Sequence, residues 1–360
     1  MSAPLLNHGG RLRAAAVEYN IPLADWLDLS TGINPTPYPA PPIPAEVWQR
    51  LPEDEDDLPA IAATAYACPA PALPLPGSQA AIQTLPAVLA ALNPDLHGTP
   101  LAIAAPTYAE HPAAWARAGH PLHALPLADF SHAIAGDTSL RLALLVQPNN
   151  PTGERLSVTE LLTIADTLAT RGGWLIVDEA FADADGPSPL AAVAGTHPGL
   201  LVLRSLGKFF GLAGARVGFL LGPAAVREEL ARQLGPWPVN GPARWLAARA
   251  LADAGWQTAQ RQQLTAASHR LATLLAPLTA GQQAAAGCAL FRWLPLPDSR
   301  SAAALYEHCA RRGILLRRFD PADPYPAPPA LRFGLPPDDA GWTRLTAALH
   351  DWLSEKNTRP

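Results

Sequence analysis

Only two lysines occur in the 360 residues, Lys208 and Lys356; every other long cation is an arginine. Arginine and lysine exchange readily as surface charges, but a guanidinium keeps its proton and forms no Schiff base. Lys208 is kept inside the apolar, Gly-rich run Arg204-Ser205-Leu206-Gly207-Lys208-Phe209-Phe210-Gly211, which points to a task for an amine. Taken alone, a partly buried lysine in a structural ion pair fits the run equally well. Three further groups could do chemistry with it. Gly77-Ser78-Gln79 opens a helical segment, where first-turn amides and the helix dipole suit a phosphate, although a plain Ser N-cap has the same text. Pro148-Asn149-Asn150-Pro151-Thr152-Gly153 fixes a rigid turn that can aim an amide side chain. Asp178 closes the apolar run 174–178, and Ser205, Lys208 and Arg216 follow the run 200–204. Serine and arginine suit a phosphate; lysine suits a carbonyl.

Together these groups call for a ligand with one phosphate, one aldehyde, and a ring nitrogen or hydroxyl for the acid and the amide. Pyridoxal 5'-phosphate has all of them. An aspartate beside the ring nitrogen keeps it protonated, so the ring can accept electrons from a carbanion at Cα. An asparagine can donate to the phenolic oxygen. The lysine holds the aldehyde as a Schiff base and can move protons once a substrate amine displaces it.

These residues need a scaffold that ends strands at one edge. Short apolar runs recur at 101–105, 122–127, 142–147, 174–178, 200–204 and 217–221, with helical segments at 79–92, 109–118, 157–171 and 224–234. That alternation predicts an α/β fold with a mostly parallel, doubly wound sheet, whose ligands sit at the carboxyl ends of the strands. Residues 236–280 read as long helices. The C-terminal part returns to α+β, with strands near 289–294, 314–318 and 330–334 and helices at 301–312 and 339–354. The expected domains are 45–240, large and cofactor-binding, and a smaller one built from 1–44 and 241–360. The acidic run Glu53–Asp57 reads as a solvated face, and Lys356 as part of a frayed tail.

Composition narrows the class. A hydrophobic content of 49% with 16% charged residues describes a well-packed globule. The net charge of −5 argues against nucleic acid as the main partner. Three cysteines without paired spacing indicate neither a disulfide framework nor a metal site, and fit a reducing cytoplasm. No apolar run is long enough to cross a membrane.

The ordered set Asn150-Pro-Thr-Gly, Asp178-Glu-Ala, Ser205-x-x-Lys208 and Arg216-x-Gly resembles the fold-type I pyridoxal-phosphate enzymes, the aspartate aminotransferase superfamily. Within it the chain resembles the threonine-phosphate decarboxylases of cobalamin biosynthesis, relatives of histidinol-phosphate aminotransferase. The distinguishing text is His8-Gly9-Gly10 with Arg13, Ile33-Asn34-Pro35, Asp178-Glu179-Ala180-Phe181, Pro236-Trp237-Pro238-Val239-Asn240, Ile314-Leu315-Leu316-Arg317 and Leu331-Arg332-Phe333. The resemblance implies that Lys208 carries the cofactor, Asp178 meets its ring nitrogen and Asn150 its phenolic oxygen. It implies that Ser78, Gln79, Ser205 and Arg216 hold the phosphate and that Tyr108 stacks on the ring. Arg332 is expected on a substrate anion, with His8, Asn34 and Arg317 completing the substrate pocket. A homodimer is implied as well. The expected reaction is decarboxylation of L-threonine O-3-phosphate to (R)-1-amino-2-propanol phosphate; the alternative is aminotransfer on a phosphorylated amino acid such as histidinol phosphate.

The chain departs from the pattern in three places. Leu51-Pro52-Glu53 stands where relatives often carry Tyr-Pro-Asp, whose tyrosine reaches a partner's cofactor phosphate. Gly207 replaces the hydroxyl residue that usually precedes the lysine, and Phe181 a tyrosine of many aminotransferases. A less tightly held cofactor is the expectation.

Overall fold

The structure, a computed structural model, describes residues 8–53, 55–279, 286–323 and 325–358. The chain divides into two compact units. The larger comprises Pro37–Asn150 and Glu154–Arg261; the smaller comprises Met1–Thr36, Pro151–Gly153 and Gln262–Pro360. The divisions therefore fall near 36 and 261, rather than near 44 and 240. The reason lies in one helix, Gly241–Ala252, which packs on the helices Ala45–Gln49 and Leu58–Ala65 of the larger unit. Its buried Arg244 donates to Asp56, Nε to Oδ2 at 2.7 Å. Asp56 also accepts from the Leu58 amide at 3.1 Å, so this member of the acidic run is an anchor rather than only a solvated charge.

The larger unit holds a seven-stranded sheet. Its strands are β1 (Leu73–Leu75), β2 (Leu101–Ala104), β3 (Leu122–Leu125), β4 (Leu142–Val146), β5 (Trp174–Asp178), β6 (Leu200–Ser205) and β7 (Gly218–Leu221). Their spatial order is β1-β7-β6-β5-β4-β2-β3. The pairs among β3, β2, β4, β5 and β6 are parallel; β7 runs antiparallel to β6, and β1 to β7. The central strands β4 and β6 are buried at every position. That is why they read as unbroken apolar runs rather than alternating ones. Pro74 is tolerated because β1 is an edge strand, where a missing N–H costs no ladder bond.

Helices cover the sheet. The helix α1 (Ser78–Leu92) packs on the helix Ala224–Leu234 and on α2 (Glu110–Arg117). Leu85, Val88, Trp115, Leu144 and Leu203 share one core there. The helix α3 (Val158–Thr170) starts with a full capping box between Ser157 and Glu160. No described helix is long and apolar enough to cross a membrane.

In the smaller unit, strands Phe291–Pro295, Ala330–Gly334 and Arg317–Phe319 form an antiparallel sheet with Ala286–Cys288 at one edge. Leu27–Asp28 pairs in parallel with Ile314–Leu315. The final helix, Asp339–Thr358, includes Lys356, which the sequence had placed in a frayed tail. The cysteines Cys68, Cys288 and Cys309 are buried and free, and burial pushes the Cys309 thiol up to about 12.

One buried ion cluster ties the ends of β5 and β6. Arg204 on β6 donates to Glu179, the residue after β5, at 2.7 Å, and to Asp183 at 2.8 Å. Ser188 Oγ donates to the other oxygen of Glu179 at 2.6 Å. Tyr66 lays its ring 4.4 Å from the Arg204 guanidinium carbon. All three charges are at most 3% exposed. Two carboxylates share one guanidinium, and burial pushes both Glu179 and Asp183 above the usual carboxylate range. Arg204→Met strands two buried acids, and the expected loss is about 3–5 kcal/mol in urea unfolding. A carboxyl raised in the native state keeps its proton longer there than in the unfolded chain. Its contribution to stability therefore falls as pH rises through and above the ordinary carboxylate range. Asp183→Asn lacks that term, so it gains on the wild type as pH rises from about 4 towards 7; a pH-independent difference in unfolding free energy counts against the assignment.

Candidate active site

Three sequence-predicted residues, Ser78, Ser205 and Arg216, lie near the end of β6. Ser205, the last residue of β6, lies opposite Gly218, the first of β7. Gly218 admits no side chain: a Cβ there would stand 2.4 Å from the Ser78 amide nitrogen. Gly77 has φ +76°, and a Cβ on it would stand 2.7 Å from Arg216 Nη2. Arg216 itself adopts a left-handed conformation, φ 55°, after a short 3-10 turn, and its Nη1 donates to the Ala213 carbonyl at 3.2 Å. Two glycines thus let the first turn of α1, the Ser205 hydroxyl and the Arg216 guanidinium close in on one small volume. The first amides of a helix have no partner inside it. Donors, a cation and a helix dipole fit a phosphate dianion.

Asp178 ends β5 and is 3% exposed. Its Oδ1 accepts from the Ala180 amide at 3.0 Å, and its Oδ2 faces His111 Nε2 at 2.8 Å. His111 is 1% exposed, and its Nδ1 has no hydrogen-bond partner among the described residues. A carboxylate only accepts, so Nε2 carries the hydrogen. His111 thereby fixes the Asp178 carboxylate while leaving lone pairs on it for a further N–H. The sequence reading missed His111, because its text at the start of α2 looks like an ordinary helix and its partner lies 67 residues away. Tyr108 meets the His111 ring edge-on, centroids 6.0 Å apart.

Lys208 stands in the tight loop after β6, closed by Gly211 N to Lys208 O at 3.1 Å and Leu212 N to Leu206 O at 3.1 Å. Its Nζ lies 5.2 Å from the centre of the Phe181 ring. Of the asparagine pair, Asn149 binds the loop together: Nδ2 donates to the Pro106 carbonyl at 2.9 Å, and its amide to Glu154 at 2.9 Å. The Gln79 side chain is engaged with Tyr108 and Glu110, so only its backbone amide is left for a phosphate.

The smaller unit carries the other four candidates. Arg317 and Arg332 are Cα partners on adjacent antiparallel strands. Directly opposed residues share a face, and like charges there repel. Arg332 is 5% exposed, donates to the Ser30 carbonyl at 2.6 Å and lies over the Phe291 ring. Burial lowers the pKa of Arg317, whose guanidinium lies over Phe319. His8 and Arg317 line one cavity of about 710 Å³, together with Arg11, Arg300 and Arg318. The His8 segment is held by Ser30: its Oγ accepts from the Gly10 amide at 2.7 Å, and a Cβ on Gly9 would stand 2.3 Å from its carbonyl oxygen. Asp28 in turn accepts from the Ser30 amide and hydroxyl, at 2.9 and 2.6 Å. Asn34 is buried, and its Oδ1 caps the turn to the Thr36 amide at 2.9 Å. Sequence reading did not single out Ser30. No group of described residues could hold a metal ion.

Residues 66–351 match the aminotransferase class I and II family. The chain is 50% identical over 345 residues to the threonine-phosphate decarboxylase of Pseudomonas aeruginosa, covering 96% of this chain and 97% of that one. It is 40% identical over 353 residues to the threonine-phosphate decarboxylase of a Sinorhizobium species, covering 97% and 98%. Its fold matches the histidinol-phosphate aminotransferase of Sinorhizobium meliloti in complex with pyridoxal-5'-phosphate. That match has a TM-score of 0.77 at 19% identity and covers 97% of this chain and 94% of that one. The chain belongs to the class I and II aminotransferase family and has its fold-type I architecture.

Proposed function

We propose that the protein decarboxylates L-threonine O-3-phosphate with pyridoxal 5'-phosphate as cofactor, giving CO₂ and (R)-1-amino-2-propanol phosphate for cobalamin biosynthesis. The observation that carries the reading is the opposed pair Arg317 and Arg332. Two guanidiniums on one face of a sheet suit a small substrate with two anionic groups, a carboxylate and a phosphate. The names of the two relatives above support the same substrate.

When bound, pyridoxal phosphate supplies an electron sink for the pair released when a bond at Cα breaks. Ser78, Ser205, Arg216 and the Gln79 backbone amide hold its phosphate. Asp178, steadied by His111, presents a negative charge to the ring nitrogen. Asn150 donates to the phenolic oxygen, and Tyr108 stacks on the ring. Lys208 would hold the aldehyde carbon through its amine, and that amine would hold or move a proton at the substrate's Cα. Arg317, Arg332, His8 and Asn34 would bind the substrate's carboxylate and phosphate. A proton then replaces CO₂ at Cα, which balances the reaction.

The working form is a homodimer in this reading. Trp48, Leu51 and Trp237 are exposed on the larger unit. The protein acts in the cytoplasm, with neither nucleic acid nor membrane as partner, in line with its charge of −5.

Incubation with threonine phosphate alone is expected to release CO₂ and the amine in equal amounts, with Lys208→Ala inactive. Product formation only on addition of a keto acid identifies an aminotransferase instead. Arg317→Gln and Arg332→Gln are each expected to lower kcat/KM roughly 10- to 150-fold, the effect of one charge-assisted hydrogen bond. Gly218→Ala closes the phosphate seat, and cofactor affinity measured on the apoprotein is expected to fall roughly tenfold or more.

A further inference from the structure

The side chains between α1 and α2 form a directed chain that ends on Tyr108. Glu110, the first residue of α2, accepts at one oxygen from two amides of α1: Gln79 Nε2 at 2.8 Å and Gln83 Nε2 at 2.9 Å. The carboxylate cannot donate, so the Gln79 amide has only one allowed orientation. Its nitrogen faces Glu110, and its oxygen faces the Tyr108 hydroxyl at 3.3 Å. That hydroxyl must therefore donate to Gln79. Tyr108 is gripped at a second point, where His111 meets its ring edge-on and is itself bound to Asp178. The phenol end of the ring is thus set by Glu110, and its flank by the residue next to Glu110 in sequence.

We propose that Glu110 is a positioning residue for the cofactor: through Gln79 it anchors the hydroxyl end of the Tyr108 ring. The inference rests on the reading above that Tyr108 stacks on pyridoxal phosphate. Glu110 suits the task by place as well as by contact. A carboxylate in the first turn of a helix is favoured by the dipole, and Gln79 and Gln83 stand four apart on one face of α1, within reach of one oxygen. An amide at 110 offers both a donor and an acceptor. Gln79 is then able to turn over and present its nitrogen to Tyr108, whose hydroxyl must accept where it had donated. A rigidly held Tyr108 favours binding by lowering the disorder frozen out on it.

The test is a double-mutant cycle on the apoprotein, with pyridoxal phosphate as the titrant and tryptophan fluorescence as the readout. The visible circular dichroism of the loaded proteins is the second readout. Glu110→Gln is expected to weaken cofactor binding about three- to tenfold, the range of one hydrogen bond, and to change the dichroism of the bound cofactor. Tyr108→Phe is expected to do the same. In the Tyr108→Phe background, Glu110→Gln should add less than about a twofold further loss, because the relay no longer has an end. Equal effects of Glu110→Gln in both backgrounds overturn the proposal, as does an unchanged dichroism. Either would reduce Glu110 to a helix-packing residue, which moves the melting temperature of the apoprotein instead. Failure of the unaltered protein to bind the cofactor overturns the proposal together with the reading it rests on. Cofactor binding without CO₂ release overturns only the choice of substrate, and the cycle is still decisive for Glu110.

Discussion

Arg204 is the point on which the larger unit turns. Its guanidinium bridges the residue after β5 and an acid four residues further on, with an aromatic ring laid against it. One strand neighbour of this cluster is Asp178; the other is Ser205, with Lys208 three residues beyond. A buried ion group costs desolvation and is seldom the cheapest way to fill a core. What it offers is register. The backbone ladder pairs β5 with β6 from Leu175 opposite Leu200 to Asp178 opposite Leu203, and the doubly paired arginine adds a contact that only this register satisfies.

The same economy governs the phosphate seat. Glycine is needed there at Gly77 and Gly218 for different reasons: one holds a left-handed turn, and the other allows an amide to approach the backbone of β7. Neither contributes a contact. Both set how near the donors can come, and an anion site is worth little if its donors stand an ångström too far apart.

Much of this was legible in the sequence because it was local. The fully buried strands announced themselves as apolar runs, and their ends were visible as Asp178 and Ser205. The motif residues Ser78, Ser205 and Arg216 were placed by spacing, and they do converge. What escaped was non-local. His111 depends on an acid 67 residues away, and the opposition of Arg317 and Arg332 depends on a strand register. The Gln79 side chain was assigned to a phosphate because a polar residue at a helix start reads that way; its engagement with Glu110 and Tyr108 is invisible until α1 and α2 are packed. The domain edges were misplaced for a similar reason. Helix Gly241–Ala252 was visible as a helix, but only its ion pair with Asp56 says which unit it belongs to. The edge strand β1, three residues long and centred on Pro74, lacks any text a strand should have.

The opposed arginines have a consequence for turnover. Side by side they repel; on the proposed assignment a ligand with two anionic groups satisfies both. On the proposed assignment the reaction removes one of those groups as neutral gas and leaves the other. The product then neutralises one guanidinium while the second regains its repulsion for the first. On that assignment chemistry at Cα loosens the grip on its own outcome, and the ladder position that would select the substrate would also work to expel the product.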